Sequence, residues 1–427
     1  MAPFILFTLA VFPFFPAFGG AQTTFQPYGR PFASPVTVAP GLYARILFSN
    51  LTLPRGVAFD SHGNLLVIER GLGVSAFTPA TNGSGTLRKV VLNNTGVTHG
   101  IQVDGDKLYI STATEAVLYK YDAAAKTVVG EGKTLVTGFN AGGELTTHTL
   151  QLTPARDTLL VSSGPDENID PTARDPASGN SQIRSFALSS LAHAPVNFTS
   201  GVLVAYGIRN PAGIAFFPGS SSQLYVVENG ASIDNVTRVT PAFVNDNPAD
   251  ELELVDLSAS AKFYGFPDCT TLWNGSADPT GDPQFLGLPR GAQFSLELKS
   301  SRGDHWCRDL ANNRHPHIIF QAHSVPLDIK FYSNPSKIDG ALPAEWTGQA
   351  FVTFHGSFDR SPPTGYAVVR LPHPALHNST YTPLVQATNL TSCPGACIRP
   401  AGIAFGPEGK LYVSSDSSGE VFVLERA

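Results

Sequence analysis

"RNPAGIAFFPGSSSQLYVVENG", residues 209–230, and "RPAGIAFGPEGKLYVSSD", residues 399–416, are two copies of one phrase. Each opens on a cation, runs through an apolar strand to a turn containing Gly and Pro, and returns as a second strand that ends in small or acidic residues. That is the signature of a β-hairpin. The same grammar recurs in "RGVAFDSHGNLLVIERG" from Arg55, "HGIQVDGDKLYIST" from His99 and "HTLQLTPARDTLLVSSG" from His148. A sixth copy starts at "PLDIKFYSNP" from Pro326, and its second strand is "QAFVTFHGS".

The starts at 55, 99 and 148 lie 44 and 49 residues apart, the length of a four-stranded propeller blade. Later intervals stretch to 61, 117 and 73 residues, so insertions are expected, mainly as a loop region over 231–325. Long helical periodicity is missing, which argues against a βα-repeat fold. The expectation is an all-β, six-bladed β-propeller with long loop insertions over residues 40–427. The early strand "ARILFSNL", 44–51, is expected to pair with the last blade and close the ring, which removes exposed sheet edges.

Composition sets the outer bounds. The 427 residues are 42% hydrophobic and 15% charged, a globular balance. The 28 Lys and Arg against 34 Asp and Glu give a net charge of −6, without the basic excess of a nucleic-acid binder. Residues 1–21 read as a secretory signal: a short apolar run, "FILFTLAVFPFF", followed by small residues. No second apolar stretch approaches a membrane span. A secreted, extracellular protein without a membrane anchor is expected. Eight Asn-x-Ser/Thr triplets, at Asn50, Asn82, Asn93, Asn197, Asn235, Asn274, Asn378 and Asn389, fit that route. Four cysteines in an oxidising compartment imply two disulfides. Three pairings are possible, and loop proximity favours Cys269 with Cys307 and Cys393 with Cys397.

In a propeller, equivalent openers lie at equivalent places around the axis. Arg55, His99, His148, Arg209 and Arg399 open their hairpins in register, and His355 and Arg360 stand at the far end of one, in "FHGSFDRSPPTGY". So many converging cations call for something negative between them. Pairwise neutralisation by acidic neighbours such as Asp359, Glu228 and Asp234 is the plainer alternative.

At "RNPAGIAF", "FHGSFDRSPPTGY" and "RPAGIAFGPEGKLYVSSDSSGEVF", with "PRGVAFD", "VIERGLG", "YGFPDC" and "HSVPLDIKFY", the sequence resembles the fungal pyrroloquinoline quinone-dependent pyranose dehydrogenases, relatives of bacterial soluble glucose and sorbosone dehydrogenases. The resemblance runs from about residue 40 to the C-terminus. It implies a secreted quinoprotein that oxidises a sugar hydroxyl or hemiacetal by hydride transfer to pyrroloquinoline quinone and passes electrons to an acceptor that the sequence does not identify. The quinone carries three carboxylates, which a mouth of Arg and His suits. Positions matching the family's cofactor-binding phrases are Arg55, Arg209, Asn210, His355, Arg360 and Arg399. The resemblance also implies a calcium ion held largely by backbone carbonyls, with the loop at Asn229 and Gly230 as a contributor.

One phrase departs from the family pattern. The third opener resembles Gly-His-x-Thr-Arg-Thr-Leu in the family, whose His is the base, whereas this chain reads "GGELTTHTLQL". One alignment puts Leu145 at the base position, with His148 displaced to the Arg position; another puts Glu144 there. The base is His148, Glu144 or absent. If it is absent, the chain is a catalytically silent propeller that binds carbohydrate or cofactor. A hydrolase with metal-bound water on His99, His148 and His355 is a further alternative, opposed by the neighbouring arginines.

Overall fold

The structure, a computed structural model, describes residues 30–78, 87–139, 145–236, 238–333, 335, 337–372 and 380–427. Six sheets follow one another along the chain as the blades of a propeller, antiparallel except for a short parallel edge pairing in the second and third. Their innermost strands are Pro54–Phe59, Val97–Asp104, Leu150–Leu152, Pro211–Phe216, Pro326–Phe331 and Pro400–Phe405. The openers read from the sequence all sit at, or within two residues of, the start of these strands.

The blades are buried on both faces, which explains apolar runs without alternation. In "LLVI", Leu65 and Val67 pack on Tyr412 and Val423 of blade 6, while Leu66 and Ile68 pack on Leu108 and Ile110 of blade 2. The same division repeats around the ring. Val161 meets Tyr109, Val226 meets Ile183, Val227 meets Val352, and Phe351 meets Phe422 across successive blade interfaces. The glycine that stands third in the innermost strands Pro54–Phe59 and Pro400–Phe405 has a related cause. A Cβ on Gly56 would lie 1.9 Å from the His99 carbonyl, and one on Gly402 would lie 2.4 Å from that of Arg55. Innermost strands of neighbouring blades approach here too closely for a side chain.

Ring closure follows the expected route. Strand Leu42–Phe48 pairs antiparallel with Glu420–Arg426, in register Ala44 with Leu424, so the outer strand of blade 6 comes from the beginning of the chain. A strand not expected from the sequence, Val36–Val38, adds to the edge of blade 5 against Ala387 to Val385.

Region 231–325 is only partly a loop insertion. Asp250–Asp256 is the third strand of blade 4 and Ile318–Phe320 the fourth. The "DELELVD" stretch hides its strand character because two glutamates occupy one face. The remaining insertion has its own core of Phe243, Phe285, Phe294 and Leu272. Asp268, fully buried, receives Arg174 Nη2 at 2.6 Å and Arg302 Nη1 at 2.8 Å and so ties this segment together. Both expected disulfides are present, Cys269–Cys307 within the insertion and Cys393–Cys397 just before Arg399. Asn50, Asn93, Asn197, Asn235 and Asn389 are exposed; Asn82, Asn378 and the whole of residues 1–21 lie outside the described residues. Among the described residues no helix is long and apolar enough to cross a membrane.

Candidate active site

A concave pocket of about 500 Å³ opens beside the start of blade 4. Its wall combines Arg209, Asn229 and Gly230 with Leu145, Asp250, His323, Ser357, Phe358 and Asp359. Arg209 is held by oxygens that carry no formal charge. Its Nε donates to the Asn168 carbonyl at 2.9 Å, Nη2 to the Asn168 side-chain oxygen at 2.9 Å, and Nη1 to the carbonyls of Asn229 and Gly230 at 3.3 and 3.1 Å. Burial lowers its pKa to about 10, and it remains a cation at neutral pH. Asn210 stands directly behind the wall. Its Nδ2 donates to Asn229 Oδ1 at 2.7 Å, and its own Oδ1 accepts Thr147 Oγ1 at 3.1 Å.

The opposite wall is the turn at 355–360. Asp359 accepts Ser357 and Ser232 hydroxyls and faces His323 Nδ1 at 3.2 Å. His323 Nε2 meanwhile donates to the Val244 carbonyl at 2.8 Å, so acceptors stand at both ring nitrogens. Burial works against the imidazolium, but Asp359 outweighs it and raises the His323 pKa. Asp250 is buried between the backbone N–H groups of Gly230 and Val325, at 2.8 and 2.7 Å; burial pushes it up to about 6 against their pull. Phe358, 75% exposed, is the most exposed large apolar side chain among the described residues.

One residue behind Ser357 lies a second group. Arg399 Nη2 donates to the Gly356 carbonyl at 2.6 Å, and its Nε to that of His355 at 3.2 Å. Asp416 accepts Arg55 Nη1 at 2.6 Å and His355 Nε2 at 2.9 Å. Burial pushes the His355 imidazole down to about 4, so it is neutral at pH 7 and donates its Nε2 proton to the carboxylate. Burial would raise Asp416, yet His355 and Arg55 together hold it below the usual carboxylate range. Two buried nitrogens here meet no partner among the described residues, Arg55 Nε and His99 Nδ1.

Thus the openers do not form one uniform ring. The structure brings Arg55, His355 and Arg399 together, and sets Arg209, Asn229 and Gly230 on the adjoining wall with Asn210 behind them. Two candidates fall elsewhere. Arg360 pairs with Asp246, and its Nη1 donates to the Pro362 carbonyl at 2.9 Å; the turn after Asp359 carries it away from the pocket. His148 is 1% exposed, packed on Phe139 with ring centroids 4.8 Å apart and with Nδ1 3.3 Å from the Ser162 carbonyl. It points into the blade, whereas Leu145 reaches the pocket wall. Glu144 lies outside the described residues. His99, His148 and His355 do not form a metal-ligand group among the described residues.

Residues 36–427 match one protein family along nearly the whole propeller. The chain belongs to the TrAA12-like family. It is 33% identical to the pyrroloquinoline quinone-dependent sugar dehydrogenase of Hypocrea jecorina, over 91% of this chain and 89% of that one. It is 34% identical to the pyrroloquinoline quinone-dependent pyranose dehydrogenase of Coprinopsis cinerea over 92% of this chain, but it spans only 54% of that protein. The calcium structure of the Trichoderma reesei family AA12 enzyme superposes with a TM-score of 0.82 at 32% identity, covering 93% of this chain and 98% of the other.

For this TrAA12-like chain, sequence reasoning did not single out Asp416, His323, Asp250 or Phe358 as site residues. Asp416 had a signal, since it ends the very phrase that Arg399 opens. His323 precedes the fifth innermost strand as "AHSVPLD", a histidine opener displaced by three residues. Nothing local in the sequence distinguishes Asp250 or Phe358.

Proposed function

We propose that this chain oxidises a hydroxyl or hemiacetal of a pyranose sugar, with pyrroloquinoline quinone bound in the 500 Å³ pocket and calcium beside it. The observation that carries the reading is the orphaned Arg55 Nε next to the Arg399 and His355 group, one residue behind a wall that also presents Arg209. A buried guanidinium N–H without an acceptor suits a carboxylate of the cofactor. The same wall carries Asp166, Glu167, Asp250 and Asp359, which would repel a tricarboxylate unless a divalent cation stood between. Hard oxygen donors are what calcium takes, and the wall offers the carbonyls of Asn229 and Gly230. The curated relatives depend on the same quinone.

The quinone, when bound, accepts the hydride. The chain's own residues do the remainder. Arg209, Arg55 and Arg399 neutralise the cofactor's carboxylates, with Asn210 and His355 orienting the strands that carry them. Phe358 offers an aromatic face at the mouth, against which a sugar ring stacks. Leu145 cannot accept a proton, and His148 faces away, so we assign the hydroxyl proton to the carboxylate of Glu144, the residue preceding Leu145. In this reading residues 1–21 are a secretory signal, 40–427 the catalytic propeller, and the protein is an extracellular glycoprotein.

The placement of Leu145 favours a second reading, a propeller that binds quinone or carbohydrate without turnover. One experiment separates them. Purified protein is mixed with the quinone and calcium, its melting temperature is followed, and reduction of an artificial electron acceptor is measured with a panel of aldoses and ketoses. A melting shift with turnover supports the dehydrogenase. A shift without turnover on any sugar supports the silent binder, and no shift at micromolar quinone rejects both cofactor claims.

A further inference from the structure

The propeller axis is hollow at its other end as well. Two further cavities, of about 290 and 310 Å³, lie against the innermost strands and share Gln102, Lys330 and Phe331, so they form one channel. Strands of all six blades line it. It opens between the hairpin turns at Pro154, Gly219 and Ser333, on the face away from the openers. Toward the pocket it ends at Gly56, His99, Thr149 and Asp328. Beyond them stands a small apolar cluster of Ala212, Leu327 and Ala401, on which Val325 of the pocket wall packs.

Equivalent positions of the six innermost strands hold Ala58, Gln102, Gln151, Ala215, Lys330 and Ala404, and all six reach the channel. Blades 1, 4 and 6 thus offer only a methyl, which leaves room, while blades 2, 3 and 5 carry long polar side chains. The charges cancel in pairs. Lys330 Nζ donates to Asp328 Oδ1 at 2.6 Å, and Arg156 at the mouth faces Asp104 at 3.3 Å. The amides keep spare capacity. Gln151 Nε2 donates to the Leu152 carbonyl at 2.8 Å, but Gln151 Oε1 and Gln102 Nε2 meet no partner among the described residues. At the inner end His99 is 3% exposed, and its buried Nδ1 has no partner among them either. Burial, with Arg55 and Lys330 nearby, lowers its pKa, so at pH 7 it is a neutral imidazole with one donor and one acceptor. A polar atom left unpaired at that depth is costly unless something in the channel answers it.

We propose that this axial channel is a second ligand site, which takes one small neutral polyol, a monosaccharide or a sugar alcohol, between His99 and the amides of Gln102 and Gln151. The paired charges leave no excess to hold an ion. The lining mixes donors with acceptors, and a hydroxyl, which is both, satisfies either. Phe59, Phe331 and Phe405 with the three alanines give the apolar wall on which the C–H face of such a molecule rests. The room matches too, since small-molecule sites begin at about 300 Å³. The apolar cluster stands between this site and the pocket, so the inference holds whether or not the chain oxidises a sugar there.

The test is saturation-transfer NMR on quinone-free, full-length protein, with sorbitol and myo-inositol as probes and inorganic phosphate as the anionic control. Saturable transfer to a polyol is expected, with a Kd on the order of a millimolar. Gln102→Met and Gln151→Met keep the side-chain length and lose the amide, and each should weaken binding about five- to tenfold at an unchanged melting temperature. Phe358→Ala, at the mouth of the other pocket, should leave it as it was. No saturable transfer to wild type means that the channel holds only water, which overturns the proposal. So does wild-type affinity in both glutamine variants, because the polyol then sits elsewhere, and so does phosphate that binds and displaces the probes, because the site then belongs to anions.

Discussion

Asp416 Oδ2 accepts Arg55 Nη1 at 2.6 Å and so joins the end of the second strand of blade 6 to the start of blade 1 across 361 residues of chain. The same carboxylate holds His355 of blade 5. One side chain thus ties three blades at the axis and neutralises cations that would otherwise repel.

Removing it should be costly. Asp416→Ala leaves the Arg55 and Arg399 guanidiniums without their anion in a largely buried place, and we expect a loss of about 2–3 kcal/mol in urea unfolding. Added quinone should then raise the melting temperature more in the variant than in wild type, since an external carboxylate takes the vacant role. A variant within about 0.5 kcal/mol of wild type would show that the ion pair is a solvated one.

Acid sensitivity has a definite sign. His355 is depressed to about 4 in the folded protein against about 6.5 when unfolded, so the folded state binds this proton later. Its contribution is fully present above about pH 6.5 and lost as pH falls from there through about 4, on the order of 3 kcal/mol. His99, also lowered by burial, acts in the same direction. Unfolding midpoints measured across this window should fall, and His355→Gln should flatten the slope. Parallel profiles for variant and wild type would contradict the assignment.

The two base candidates should part cleanly. His148 fills space beside Phe139, so His148→Ala should lower stability by roughly 2 kcal/mol while kcat of the quinone-loaded enzyme stays within about threefold. Glu144→Gln should leave stability unchanged and cost about a hundredfold or more in kcat. The reverse pattern would return the proton to His148.

Phe358 is expected to act on the sugar and not on the cofactor. Phe358→Ala should raise KM for a pyranose by about three- to tenfold with little change in kcat, as a lost stacking face does, and Phe358→Trp should restore it. A changed quinone affinity in Phe358→Ala would place the ring against the cofactor instead.

The disulfides should differ in weight. Cys269 and Cys307 are 38 residues apart and Cys393 and Cys397 only four, so chain entropy assigns the first about 4 kcal/mol and the second about 2. Paired Cys→Ser variants compared by chemical unfolding should reproduce that order.

The ring was legible in the sequence because it is made of local events repeated. Strand, turn and strand recur behind a shared opener, and each hairpin specifies itself before any blade meets another. Ring closure by residues 42–48 could be anticipated for the same reason, since an unpaired edge needs a partner. Blade 4 was the exception, as glutamates at 251 and 253 break the apolar pattern that marks a strand. The site was legible only as residue types. That Arg55, His355 and Arg399 meet depends on Asp416 standing where three blades converge, a distance of hundreds of residues along the chain. That Arg360 turns to Asp246, and that His148 turns inward while Leu145 faces the pocket, depends on the bend of single turns against packed neighbours. Side-chain direction at a strand end is set by what lies across the interface, and no stretch of sequence contains both sides of it.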